Sequence, residues 1–284
     1  MSRLRAFLYR NRWLFSRRII QVLIILAFAV KLPSDVYFAD GNLSSSVWFG
    51  IGLTDPYIWL QSIFAGAPLG KSALIGMLIV AVVYAVFGGR IYCSWVCPIN
   101  LLTDFSYWVR QKLNIKSNFT ISKDIRVSIL ILSLILSLLC GTLAWETVNP
   151  ITMFQRELMW SSVAGITVLA SIFLFDIFIT RRGWCSHICP VGAFYSELGR
   201  YGRLRVKATQ SGACNGCSSC IKVCPEPHVL APVVAKKADY VTHGDCTRCG
   251  ACLDQCSTGA LAMNLNFKKS GSFRGIAVVS QDKV

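Results

Sequence analysis

Two matching runs of four cysteines near the C-terminus constrain the fold of this chain more than any other feature. Both runs have the spacing Cys-x-x-Cys-x-x-Cys-x-x-x-Cys. The members are Cys214, Cys217, Cys220 and Cys224 in the first run, and Cys246, Cys249, Cys252 and Cys256 in the second. This spacing is the signature of a segment that binds two [4Fe–4S] clusters, which carry single electrons. The pattern therefore predicts an electron-transfer protein.

The same spacing predicts which cysteines share a cluster, because the fourth cysteine of each run ligates the cluster of the other run. Cluster one would use Cys214, Cys217, Cys220 and Cys256, and cluster two would use Cys246, Cys249, Cys252 and Cys224. Structural zinc is the first alternative, but two Cys-x-x-Cys pairs satisfy it and leave the remaining cysteines without a use. Disulfides are the second, and a reducing compartment disfavours them.

The rest of the chain is unusually apolar. Of its 284 residues, 54% are hydrophobic and 15% are charged, whereas about a quarter are charged in an ordinary soluble domain. Four stretches have the composition and length expected for crossing a hydrocarbon layer of about 30 Å; they are residues 19–38, 72–88, 127–145 and 161–180. Lys31 and Pro33 interrupt the first. We therefore expect an α-helical integral membrane protein, with four transmembrane helices as two parallel hairpin repeats and a C-terminal ferredoxin-like α+β domain.

The basic residues predict the orientation of these spans, because Lys and Arg are enriched on the cytoplasmic side. Six arginines precede the first span, and six basic residues lie between the second and third. Both termini are thus expected in the cytoplasm of a multi-pass protein of the bacterial inner membrane, with an uncleaved N-terminal anchor. The expected divisions are a basic segment at 1–18, a membrane domain at 19–200 and a cytoplasmic dicluster domain with its tail at 201–284. The net charge of +15 fits this topology, and nothing resembles a nucleic-acid-binding module.

A second set of cysteines belongs to an internal repeat. The motif Cys-x-x-x-Cys-Pro occurs after the second and the fourth predicted span, in copies 92 positions apart, and its cysteines are Cys93, Cys97, Cys185 and Cys189. A pseudo-twofold axis along the membrane normal would bring the copies together. Four thiols could then hold a further iron–sulfur cluster or act as a thiol–disulfide couple, and the residues do not decide between these. Simple burial of small apolar cysteines is the remaining alternative.

Several segments resemble NapH, the ferredoxin-type membrane subunit of periplasmic nitrate reductase systems. They are residues 42–46, 53–56, 93–98, 145–150, 183–192 and 220–230, so the resemblance extends over nearly the whole chain. It implies a quinol dehydrogenase component that acts within a complex. Electrons would pass from the membrane quinol pool through NapG, a periplasmic iron–sulfur partner, towards nitrate reductase, with c-type cytochromes downstream. NosR-like and cytochrome-oxidase-assembly ferredoxins share the paired motifs.

Quinol oxidation releases two protons, so ionisable residues near the apolar segments are candidate proton acceptors. Asp176 interrupts an apolar run, and an ionisable residue inside a span is a functional candidate. The neighbouring Arg181 and Arg182 could instead pair with it. His187 lies inside the second motif, where an imidazole could accept a proton near neutral pH or ligate a metal.

Two further candidates lie in the loops between spans, on the face expected to be opposite to the motif cysteines. Asp55 and Glu146 stand near prolines and aromatic residues, and their carboxylates are candidate acceptors for quinol protons. The main alternative function is a membrane-anchored ferredoxin-type maturation factor, which would supply reductant to the metal site of another protein. Reduction of the clusters by a quinol would distinguish the two functions.

Overall fold

The computed structural model describes residues 2–29, 40–48, 51–67, 70–115, 119, 121–160, 163–209 and 214–265. The expected interruption of the first apolar stretch at Lys31 and Pro33 lies outside the described residues, as does the tail beyond 265. The described part before residue 200 is mainly helical, and the part that follows combines two strands with short helices.

The helices of the first part alternate between long and short segments. They are α1 (Ser2–Arg10), α2 (Arg12–Ala29), α3 (Pro56–Phe64), α4 (Lys71–Phe87), α5 (Ile91–Trp95), α6 (Ile99–Lys112), α7 (Asp124–Cys140), α8 (Pro150–Trp160), α9 (Val163–Phe178) and α10 (Pro190–Gly199), with a π-helical turn at Trp184–Ile188 between α9 and α10. Local signals explain several of the ends. Pro56 and Pro190 begin α3 and α10, where a missing N–H costs nothing, and Gly141 ends α7 in the left-handed conformation at φ 64°.

The prediction of four membrane spans is wrong. Among the described residues, no helix combines the length and the apolar character needed to cross a membrane. A span needs about 20 predominantly apolar residues, whereas α4 and α7 have 17 residues each, α9 has 16, and α2, with 18, contains three arginines. The predicted third stretch runs past Gly141, the glycine that ends α7. The same finding contradicts the expected location as a multi-pass protein of the inner membrane with cytoplasmic termini.

The internal repeat is visible in the order of the elements. The series α3, α4, α5 and α6 has its counterpart in α8, α9, the π-helical turn and α10. The packing between the copies is exchanged, because α6 packs against α9 and α10 packs against α4. Each helix that follows one Cys-x-x-x-Cys-Pro motif thus contacts the helix that precedes the other motif. This exchange brings the two motifs to the same place in the fold.

A small sheet leads into the first helix of the repeat. Its strands are β1 (Asp40–Gly41), β2 (Ser45–Trp48) and β3 (Ile51–Thr54), which pair antiparallel in that order. Strand β3 packs on α4. The contact requires glycine at position 76, since an added Cβ there would lie 1.8 Å from the carbonyl oxygen of Gly52. The sheet therefore fixes the chain immediately before Asp55 and α3.

The C-terminal part is built around a two-stranded sheet. Its elements are β4 (Leu204–Ala208), α11 (Ser219–Val223), α12 (Pro227–Val234), α13 (Ala251–Asp254) and β5 (Leu261–Leu265). Strand β4 pairs antiparallel with β5, from Leu204 opposite Leu265 to Ala208 opposite Leu261. Its buried core consists of Val206, Val229, Leu230, Val233, Val241 and Cys252. So small an apolar core makes a cofactor or a neighbouring part of the chain important for stability.

Candidate metal centres

The eight cysteines of the two C-terminal runs line two separate cavities. The outer cavity is lined by Cys214, Cys217, Cys220 and Cys256. The inner cavity is lined by Cys224, Cys246, Cys249 and Cys252. Each cavity therefore receives three cysteines from one run and the fourth cysteine of the other, which is the grouping expected from the spacing. Cluster binding by these residues stays a prediction.

The backbone of both loops curves in the same unusual way around the second cysteine. Gly216 and Ser218 flank Cys217 with φ of 72° and 56°, and Arg248 and Gly250 flank Cys249 with φ of 53° and 74°. Backbone N–H groups that alternate with left-handed residues form concave sites that favour negative charge, including iron–sulfur sites. The four thiols and the curved backbone of each cavity thus fit a [4Fe–4S] cluster.

The two cavities differ in burial. Cys249 and Cys252 are only 6% and 8% exposed, and burial, together with neighbouring thiols, raises the pKa of Cys252 and Cys224. In the outer cavity, Cys217 is exposed. The neighbouring Ser219 lowers the pKa of Cys217 through hydrogen bonds. Cys217 is consequently closer to solvent and more easily ionised than the buried thiols of the inner cavity.

The structure brings the four motif cysteines together in the helical part. Cys93 lies in α5 and Cys185 in the π-helical turn, and Cys97 and Cys189 follow just before α6 and α10. Cys93, Cys97 and Cys189 contact a buried aromatic core of Tyr57, Tyr92, Trp145 and Tyr195. Burial raises the pKa of all four thiols, and neighbouring thiols raise the pKa of Cys97, Cys185 and Cys189 further. For Cys189 the pKa is raised to about 12.

Asp55 lies beside this aromatic core rather than on an opposite face. Its Oδ1 accepts a hydrogen bond of 2.8 Å from the N–H of Tyr57 and so caps α3, and its carboxylate also bonds the side chain of Tyr195. Burial raises the pKa of Asp55 to about 7. Its charge acts on Cys93, so the carboxylate is near the motif cysteines. Sequence reasoning had separated the two because the loop was expected at the far end of a membrane span.

Glu146 lies close enough to Asp55 for their charges to interact. Its carboxylate accepts hydrogen bonds from Asn149 Nδ2 at 3.1 Å and from Ser44 Oγ at 3.5 Å. Burial raises the pKa of Glu146. The two candidates from the loops thus form one acidic pair beside the aromatic core.

Asp176 is buried at the end of α9 and accepts a hydrogen bond of 3.0 Å from the N–H of Trp184. This contact holds the first residue of the π-helical turn that carries Cys185. Burial raises the pKa of Asp176 to about 7, and its Oδ2 has no hydrogen-bond partner among the described residues. Arg181 and Arg182, the expected partners of Asp176, bond other groups. Arg182 pairs with Asp104 at 2.6 Å, and Arg181 donates to the carbonyl of Cys224 at 3.0 Å.

His187 occupies the π-helical turn between Cys185 and Cys189. Burial lowers its pKa, so the neutral imidazole is favoured near neutral pH. Its Nδ1 is buried and has no hydrogen-bond partner within the described ranges. A neutral imidazole with a free nitrogen is able to accept a proton.

Sequence reasoning missed a buried ion network between the two sets of cysteines. We call it the ion joint, and it consists of Arg90, Arg126, Glu226 and Asp245, each at most 6% exposed. Arg90 donates to Glu226 at 2.9 Å and to Asp245 Oδ1 at 3.4 Å, and Arg126 donates to the same Asp245 oxygen at 2.5 Å. One signal was available, because each of the two acids lies within two positions of a cysteine in an otherwise apolar chain.

The charges of the ion joint compensate one another. Burial opposes ionisation of Glu226, but Arg90 and Lys123 hold its pKa at about 2. Asp245 is likewise opposed by burial, and contacts with His228 and Arg90 hold its pKa well below its usual range. Both carboxylates are therefore ionised at neutral pH. Breaking such a pair is costly because an uncompensated charge stays buried.

A metal site is a geometric alternative to the ion joint. The ligand atoms of His228, His243 and Asp245 lie within 4.8 Å of one another. A divalent cation there would meet Arg90 and Arg126, which already donate to Asp245, and Lys123, whose Nζ lies 2.7 Å from His228 Nδ1. These positive charges disfavour a cation. We assign the two histidines to the rim of the ion joint.

Comparisons with known proteins agree with this arrangement. A family model described as a 4Fe-4S binding domain matches residues 69–116 and 161–208, and a 4Fe-4S dicluster domain matches 213–261. Each of the first two matches contains one Cys-x-x-x-Cys-Pro motif. No solved structure was found to match the chain.

Three curated relatives cover most of the chain. The methylamine utilization ferredoxin-type protein MauN of Methylobacillus flagellatus is 67% identical over 98% of both chains. MauN of Paracoccus denitrificans is 41% identical over 85% of this chain and 86% of its own. The ferredoxin-type protein NapH of Escherichia coli is 42% identical over 87% of both.

Proposed function

The chain belongs to the family of ferredoxin-type iron–sulfur electron-transfer proteins that includes MauN and NapH, and we propose that it takes electrons from a quinol and passes them to a partner protein. The observation that carries the proposal is the presence of two cavities, each lined by four cysteines. Cys214, Cys217, Cys220 and Cys256 would hold one [4Fe–4S] cluster, and Cys224, Cys246, Cys249 and Cys252 would hold the other. When bound, each cluster accepts or donates one electron at a time.

The motif cysteines are the proposed entry point for electrons. Three of them contact the buried aromatic core, and Asp55 lies beside it. Oxidation of a quinol yields a quinone, two electrons and two protons. A carboxylate with a pKa near 7 is suited to accept such a proton at neutral pH. Asp55 and Glu146 are the proposed acceptors, with Asp176 and His187 as further acceptors next to Cys185.

The environment of the motif thiols supports a metal site over a thiol–disulfide couple. The thiolate is the form that attacks a disulfide, and burial raises the pKa of all four thiols, which makes them poor nucleophiles. A metal displaces the thiol proton when it binds. We therefore propose that Cys93, Cys97, Cys185 and Cys189 bind a further iron–sulfur centre.

The metabolic pathway in which the chain acts is a proposal that rests on the names of its relatives. The MauN relative at 67% identity is named for methylamine utilization and covers more of the chain than NapH of Escherichia coli at 42%. We propose a role in methylamine utilization rather than nitrate reduction, with an iron–sulfur partner of the NapG kind and c-type cytochromes downstream. A strain that lacks the chain should then grow poorly on methylamine and respire nitrate normally.

A quinol titration tests the proposal directly. The full chain is reconstituted with iron and sulfide under anaerobic conditions and mixed with a water-soluble quinol analogue, and cluster reduction is followed by visible absorbance and EPR. We expect reduction in the wild type and slower reduction in Asp55→Asn. Clusters that dithionite reduces and the quinol does not would contradict the proposal and favour delivery of reductant to a maturing metalloenzyme.

A further inference from the structure

One fully buried side chain connects the motif cysteines to the two acids beside the inner cavity. Arg90 is 1% exposed. On one side it donates to the carbonyl of Cys185 at 2.9 Å and bonds the side chain of Cys93. On the other side it reaches Glu226 at 2.9 Å and the carbonyl of Asp245 at 3.3 Å. These acids stand next to the inner-cavity ligands, because Glu226 follows Cys224 by two positions and Asp245 directly precedes Cys246.

Two shorter contacts connect the same regions. Ser94 Oγ donates to the carbonyl of Thr247 at 2.7 Å, and Trp95 Nε1 donates to the carbonyl of Arg248 at 3.2 Å. Ser94 and Trp95 lie inside the first Cys-x-x-x-Cys-Pro motif, and Thr247 and Arg248 lie between Cys246 and Cys249. The ligand loop of the inner cavity is therefore docked directly on the motif.

The outer cavity has a different setting. All the residues that line it lie between Ala208 and Leu261, within the C-terminal part. Asn215, Gly216 and Cys217 of its ligand loop are exposed. The outer cavity thus faces away from the motif cysteines and towards whatever approaches from solution.

We propose that Arg90 is the positioning residue that couples the inner cavity to the motif cysteines, so that electrons pass between the motif and the inner cavity while the outer cavity exchanges electrons with the partner. This order rests on the proposed function, since it assumes that clusters occupy both cavities. Arginine suits the position because its planar group donates to several acceptors at fixed angles, whereas lysine acts as a point charge. A cation between two sets of thiolates also favours the more negative, reduced state of both.

The test measures the midpoint potentials of the clusters by EPR-monitored titration of the reconstituted full chain. In Arg90→Lys, we expect the midpoints of the inner-cavity cluster and of the motif centre to move to more negative potentials and the midpoint of the outer-cavity cluster to stay, with iron content equal to that of the wild type. The moving signals should persist in Cys217→Ala, which lacks an outer-cavity ligand. Arg17→Lys is the matched control, because Arg17 is also buried and paired, with Asp104 at 3.3 Å, outside the ion joint. All midpoints of this control should stay.

A second variant covers the case in which Arg90→Lys does not fold. Trp95→Phe keeps an aromatic ring and removes the hydrogen bond to Arg248, together with part of the edge-on contact with Trp13. It should move the inner-cavity midpoint in the same direction by less. Unchanged midpoints in the folded variants, or movement of the outer-cavity midpoint as large as that of the inner-cavity midpoint, would overturn the proposal. A different outcome is that the quinol does not reduce the clusters, while Arg90→Lys still shifts the midpoints selectively. That outcome would rule out the quinol as the electron donor and would leave the coupling by Arg90 intact.

Discussion

The inner and outer cavities have the same cysteine spacing and different surroundings. The inner cavity is buried against the helical part, with Cys249 at 6% exposure and two salt-bridged acids beside it. The outer cavity is lined by the C-terminal part alone and exposes Cys217. Ligand spacing therefore determines which cysteines group together, whereas packing against the rest of the chain determines how each group is shielded. Two sites with the same ligand spacing acquire different environments in this way.

Loss of one ligand should separate the two cavities most clearly. Cys224→Ser should remove the inner cluster, although Cys224 belongs to the first run, and the iron of the other centres should remain. Cys256→Ser should remove the outer cluster instead. Iron and acid-labile sulfide analysis together with EPR measures both. Loss of the signal of the outer cavity in Cys224→Ser would refute the grouping.

Loss of one charge in the ion joint should destabilise the region around the inner cavity. Asp245→Asn leaves Arg126 and Arg90 without full compensation, and we expect a cost of about 3–5 kcal/mol in the free energy of unfolding. Asp254→Asn is the matched control, since Asp254 accepts from the N–H groups of Trp13 and Leu14 at the start of α2. Asparagine has one acceptor oxygen, so one of these bonds is lost, at a cost of about 1 kcal/mol. Urea unfolding under anaerobic conditions measures both. Equal costs would show that the ion joint stabilises the protein no more than the contact of Asp254 with α2 does.

Two glycines test the difference in packing. Gly250 and Gly216 both have a positive φ, of 74° and 72°. A Cβ at Gly250 would lie 2.4 Å from the side chain of Trp13, whereas a Cβ at Gly216 would have nothing within 4 Å. Gly216→Ala should cost about 1 kcal/mol of backbone strain, and Gly250→Ala should cost about 1–3 kcal/mol more. Thermal unfolding compares them, and a larger loss in Gly216→Ala would contradict this account.

The stability of the helical part, where Asp55 lies beside the aromatic core, should depend on pH near neutrality. Burial raises the pKa of Asp55 from 3.8 to about 7, so folding favours its protonated form. Its contribution to stability is complete below about pH 4 and is lost as pH rises through about 7, at up to about 1.4 kcal/mol per pH unit. Asp55→Asn stays neutral and should flatten this part of the stability profile. A profile that keeps its slope in the variant would assign the titration to another group.

The sequence predicted the local chemistry better than the long-range contacts. The spacing of Cys214 to Cys256 predicted the grouping in the two cavities, because ligand spacing is a property of short loops. The ion joint escaped prediction, since Arg90 and Glu226 are 136 positions apart and only the fold brings them together. The membrane spans were predicted from composition, which does not reveal that α7 ends early, at Gly141. Asp55 was placed on the wrong face for the same reason.

The exchanged packing of the two repeats has a consequence for how the protein can vary. Because α6 lies on α9 and α10 lies on α4, neither repeat possesses its own complete set of neighbours. A fragment that contains one copy would expose the two helix faces that normally pack on the other copy. The two copies therefore stabilise each other and are needed together. Each copy can then acquire its own substitutions, such as Trp95 in one and His187 in the other, provided that the faces exchanged between them continue to match.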